Sequence, residues 1–180
     1  MSIERRAAAV AAVALATFAA CSGGGTEDVT LHDYSASLPS GWEPGTPTNE
    51  MRAAEYTVCL GGADTANVIV YWFEEGQGGD VQQNIDRWTS QFATPDGGAV
   101  APTVSTLDGG AFPITLVELE GTYGRGMGMG PGRETPTAGQ ALDAAIVETP
   151  TGRFFVQLFG NAGCVAATRD AFLDYVKSIS

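Results

Sequence analysis

The chain has 180 residues, 44% of them hydrophobic, and its 21 acidic against 9 basic side chains give a net charge of −12. Such an acidic chain is repelled by phosphodiester backbones and anionic head groups, which excludes a nucleic-acid binder and points to neutral, basic or cationic partners. The length suits one core, because about 150 residues can bury about 70% of their extended-chain surface.

The first segment is an address and not part of the fold. Arg5 and Arg6 precede the uncharged run Ala7–Ala20, which ends in small residues before Cys21. A basic start followed by a short apolar run marks an export signal, too short for a stable membrane span. The Arg5-Arg6 pair lacks the surroundings of a twin-arginine motif. The stretch Phe18-Ala19-Ala20-Cys21 resembles the lipobox of bacterial lipoproteins, with Phe18 where leucine is usual. That resemblance implies cleavage before Cys21 and acylation of its thiol and new amino group; the alternative is plain secretion after cleavage nearby. Two acyl chains already anchor a protein firmly, at about 0.8 kcal/mol per buried methylene. The expected organisation is a signal peptide over 1–20, a lipidated Cys21 with a Gly-rich tether over 21–28, and a single α+β domain over 29–180. The expected location is extracytoplasmic, anchored to the cell membrane or outer membrane.

Within the domain, Tyr34, Ala36 and Leu38 alternate up to a break at Pro39-Ser40-Gly41, as in a strand running into a turn. The runs 51–60 and 66–75 read as two strands of a hairpin, the second almost wholly β-branched or aromatic. Asp80 with Gln83 three residues on forms a capping-box pattern, and Val81, Ile85, Trp88 and Phe92 then share one helical face. Asp80, Asn84, Arg87 and Gln91 fall toward the other side, Asn84 expected to satisfy a neighbouring loop and Arg87 to pair with an acidic side chain, the alternative being that Asn84 and Arg87 form a docking stripe. After a loop over 94–102, two strands flank Asp108-Gly109-Gly110, and strands over 140–149 and 153–160 flank Pro150-Thr151-Gly152. A closing helix from about Val165 carries Val165, Thr168, Phe172, Val176 and Ile179 on one stripe. The sum is an antiparallel sheet of about seven strands covered by two main helices.

The strings "SLPSGW", "NIDRWTSQF", "FFVQLFG" and "AFLDYVKSI" in this order resemble small bacterial lipoproteins with the PsbP-like α/β/α sandwich, over nearly all of 29–180. The resemblance implies a non-enzymatic module that docks onto other proteins, here another envelope or membrane protein. No binding motif of that family is matched, so no functional residue carries over.

Cysteine arithmetic leaves Cys59 and Cys164 as a pair once Cys21 is lipidated. A bridge would close a loop worth roughly 4.7 kcal/mol in the chain-entropy model. The rival, a thiolate at Cys164 ahead of the last helix, has no CxxC or adjacent histidine behind it.

The glycine-methionine run 121–132 meets neither phosphate-loop pattern: its glycines alternate, and Gly132 is followed by Arg133-Glu134 where a P-loop needs Lys-Ser/Thr. Met127 and Met129 could give two thioethers to Cu(I), half a site, with the sole histidine, His32, remote in sequence. The plainer reading is a hairpin loop offering Arg125, Met127, Met129 and Arg133 to a partner. His32-Asp33 lacks a recognisable serine, and the pairs Glu118/Glu120 and Glu74/Glu75 read as outward, solvated carboxylates. Trp72 and Trp88 read as core, with Trp42 left as a candidate platform residue. The expected activity is therefore binding, without catalysis or cofactor; copper handling by Met127 and Met129 is the alternative.

Overall fold

A computed structural model describes residues 26–60, 62, 64–124 and 135–180. Among these, five strands and a helix are followed by five more strands and a second helix. They are β1 (Glu27–Leu31), β2 (Tyr34–Leu38), β3 (Glu43–Pro44), β4 (Arg52–Val58) and β5 (Ala66–Glu74), then α1 (Val81–Thr89), β6 (Phe92–Ala93), β7 (Thr103–Thr106), β8 (Ile114–Tyr123), β9 (Thr137–Thr149), β10 (Gly152–Asn161) and α2 (Ala162–Lys177). Strands β3-β4-β5-β10-β9-β8-β6 form one sheet in that order, with β7 also on β8. Every pairing is antiparallel. The α+β class holds; the strand count exceeds seven because β3 and β6 are two-residue pieces and the first strand splits into a separate β1-β2 hairpin at His32-Asp33.

Position in the sheet follows from sequence. Strand β9, next to the central β10, is buried continuously from Ala141 to Val147, and its alanines at 141, 144 and 145 leave room for neighbours on both faces. One face carries α2 and the β1-β2 hairpin: Phe172, Tyr175, Val176 and Ile179 pack with Leu31, Ala36, Leu38 and the inward residues of β4, β5 and β10. Here Trp42, Tyr56 and Tyr175 form a buried aromatic group, and the Tyr175 hydroxyl donates to Tyr56 at 3.5 Å. Burial pushes both phenols above the ordinary tyrosine range. The platform role considered for Trp42 is thereby displaced, since the ring is buried.

The helix α2 begins at Ala162, three residues before the expected start, capped by Asn161, whose side chain accepts from Gly163 N at 2.9 Å. Cys164 lies in its first turn and is bridged to Cys59 at the end of β4, with the Cα atoms 5.6 Å apart. The bridge ties the sheet's β4 side to the helix covering it.

The opposite face carries α1, opened by the full capping box: Asp80 Oδ1 accepts from Gln83 N at 2.7 Å and Gln83 Oε1 from Asp80 N at 3.0 Å. Ile85 and Trp88 dock on Phe155 and the β8-β9 residues Val117, Leu119 and Ile146. Just before α1, Gly78 sits at φ 76°, where a Cβ would come within 2.8 Å of the Phe73 ring. At the β9-β10 turn, a Cβ on Gly152 would lie 2.2 Å from Phe73 O, so only glycine allows β10 to start against β5.

Candidate functional site

The two faces are covered unequally. A nine-residue helix is only about 13 Å long, whereas seven strands at their usual spacing span about 30 Å. Helix α1 therefore shields the β8-β9 side of its face and leaves the β4-β5 side open. The register places Arg52, Tyr71, Phe155 and Ile146 in one cross-strand row on that face, with Ile69 and Gln157 in the next. The result is a groove of about 400 Å³ bounded by α1, the start of β4 and the ends of β8 and β10.

Its floor and walls are half-buried Ile69, Tyr71, Phe73 and Phe159 above fully buried Leu142 and Phe155. Met51, 58% exposed, stands at the rim. Two guanidinium groups reach it, Arg52 from β4 and Arg87 from α1, and no carboxylate lines it among the described residues. Arg52 pairs with Glu55 through Nη1 and lies over the Tyr71 ring at 5.8 Å, while its buried Nε has no partner among the described residues.

Asn84 positions Arg87. Although placed on the polar side by periodicity, Asn84 is only 1% exposed. Its amide donates to Gly78 O at 3.0 Å and Asp80 O at 2.8 Å, as expected of a loop-satisfying residue. Arg87 does not pair with a carboxylate among the described residues; it donates to Asn84 Oδ1. The reason is reach: Asn84 is one helical turn back on the same side, and its oxygen is free once its NH₂ is used by the loop.

The other sequence candidates lie elsewhere. His32 occupies the β1-β2 turn at φ 55°, stacks on Trp72 with ring centroids 5.1 Å apart, and approaches Asp33 at 3.3 Å. The shallow depression around them holds Glu74, Glu75 and Thr151. Trp72 packs against the core and Trp88 is buried. Glu118 is not a free outward carboxylate: it is half-buried and meets Arg169 of α2 at 2.8 Å, beside Asp143 directly opposite on β9. Among the described residues, no three His, Cys, Asp or Glu side chains gather as a metal site. Cys21 and the loop candidates Arg125, Met127, Met129 and Arg133 lie outside the described residues, although β8 and β9 pair on either side of that loop as far as Tyr123 and Thr137.

The groove itself was not legible in the sequence. The alternation of Ile69, Tyr71 and Phe73 signals an apolar face of β5, but not that the helix above it would be too short and displaced to cover it.

No family model and no curated protein matches the sequence. Solved structures do. The cyanobacterial PsbP of Synechocystis (CyanoP) superimposes with a TM-score of 0.55 at 9% identity, over 92% of this chain and 98% of that one. The fold is PsbP-like. Two further structures share it at a TM-score of 0.50. PA94 of Pseudomonas aeruginosa, a protein of unknown function, is 10% identical over 87% of this chain and 97% of its own. A Bacteroides thetaiotaomicron protein is 11% identical over 88% of this chain, which spans about half (48%) of that protein. At these identities the likeness extends to the PsbP-like fold and not to any residue of the groove.

Proposed function

We propose that this PsbP-like domain works outside the cytoplasm as a lipid-anchored, non-catalytic binding module, accessory to another envelope or membrane protein, with the groove beside α1 as its working surface. The observation that carries this reading is the half-exposed Ile69, Tyr71, Phe73 and Phe159 gathered in one concave surface with two arginines at its edge. Apolar pockets with a few convergent polar groups are the usual form of a ligand site. The leader and lipobox resemblance of residues 1–21 support export and anchoring, and the Cys59–Cys164 bridge suits an oxidising compartment.

The test is in-cell photo-crosslinking of the full lipidated chain with the crosslinker at position 51 on the groove rim, compared with one at the distant exposed Val104. One dominant envelope or membrane protein captured from position 51 is the expected result. A chain recovered alone from both positions overturns the accessory role.

A further inference from the structure

The net charge of −12 points to neutral or basic partners, yet two guanidinium groups edge the groove, Arg52 paired with Glu55 and Arg87 without a carboxylate among the described residues. The described residues lining it include Arg52 and Arg87 and no aspartate or glutamate, in a chain with more than twice as many acidic as basic side chains. We propose that the groove binds a small amphipathic carboxylate, its apolar body on Ile69, Tyr71, Phe73 and Phe159 and its carboxylate held between the Arg52 and Arg87 guanidinium groups.

Three observations converge on this class. The first is the unsatisfied donor: Arg52 uses Nη1 on Glu55, but its Nε is buried without a partner among the described residues. A buried N–H left unpaired is destabilising, so a shift of the Arg52 side chain that brings Nε to a bound acceptor in the groove is favoured. The second is that Arg87 is bonded to a neutral amide oxygen and not to a carboxylate, so its charge is uncompensated by its neighbour. Asn84 holds it in place by being locked to Gly78 O and Asp80 O, which leaves the guanidinium oriented for a planar, bidentate acceptor. The third is the lining. A groove of about 400 Å³ with aromatic and aliphatic walls lies within the size range of small-molecule sites and accommodates an apolar body. A cationic ligand would meet two arginines, and a purely apolar one would leave the Arg52 Nε unsatisfied.

This inference rests on the groove being the binding surface, and its test separates the two claims. The full chain is made with Cys21→Ser, so that no acyl group of its own competes, and titrated calorimetrically at neutral pH with decanoate and with decan-1-ol below their aggregation limits. Amide chemical shifts locate the bound probe. The expected result is one-to-one binding of decanoate in the groove, about tenfold tighter than decan-1-ol, in line with a charge-assisted hydrogen bond. Arg87→Gln, an exposed position whose change spares the core, should weaken decanoate about fivefold and leave decan-1-ol unchanged. Arg52→Gln should do the same with its melting temperature monitored, and Arg153→Gln, outside the groove, should change neither. Equal affinity for the two probes overturns the carboxylate preference while keeping the groove as a binding site. Absence of saturable binding by either probe, or shifts mapping elsewhere, overturns the small-ligand inference, while the groove's role toward a protein partner stands or falls with the crosslinking from position 51.

Discussion

Arg169 Nη1 donates to Asp143 Oδ2 at 2.9 Å, yet the Asp143 carboxyl titrates above the ordinary aspartate range. Burial is the larger cause and the nearby Glu118 charge adds to it, so together they outweigh the stabilising guanidinium. A raised folded-state pKa contributes stability that is fully present below the unfolded value and is lost as pH rises through the folded one. Asp143→Asn removes that dependence. The melting-temperature difference, variant minus wild type, should therefore grow in the variant's favour as pH rises from the ordinary aspartate range toward neutrality. A difference that shrinks over this interval would show the ion pair dominating burial.

Removing the cation instead leaves two carboxylates facing each other across β8 and β9, at the directly opposed pair Glu118 and Asp143. Arg169→Met should cost about 2 kcal/mol at neutral pH, and adding Asp143→Asn to it should recover part of the loss. Urea denaturation of the single and double variants measures both. If the second substitution deepened the loss, the repulsion argument would fail.

The Cys59–Cys164 bridge closes a separation of 105 residues between β4 and α2. The double serine variant should lose about 2–4 kcal/mol, less than the chain-entropy ceiling because that model ignores residual structure in the reduced chain. Guanidinium unfolding with and without reductant, on wild type and variant, checks this; reductant should shift the wild-type midpoint and leave the variant's in place.

Asn84 links the turn before α1 to the groove. Asn84→Ala leaves Gly78 O and Asp80 O without their side-chain donor and should destabilise the fold by about 2 kcal/mol. Gly78→Ala strains the same turn through its φ of 76° and the Phe73 contact, and should cost about 2 kcal/mol. Thermal melts give both magnitudes. Hydrogen exchange at Gln83 and Asn84 should accelerate in each variant, and unchanged exchange would detach this turn from the helix start.

Local chemistry made most of the fold readable in advance. The capping box at Asp80 and Gln83, the 3.6-residue stripes of both helices, and the turn residues around Asp108 and Thr151 each act within a few residues, so the chain order carries them. The Cys59–Cys164 pairing was likewise accessible, because two cysteines remain once Cys21 is set aside. Tertiary structure alone decided the rest. That Asn84 turns inward, that Glu118 meets Arg169 and Asp143, and that α1 stops short of β4 and β5 all depend on which elements become neighbours. Periodicity states which face of a helix or strand is apolar. How much of that face is covered is set by the lengths and offsets of the packed layers, and the groove with Arg52 and Arg87 exists because a short helix lies over a wide sheet.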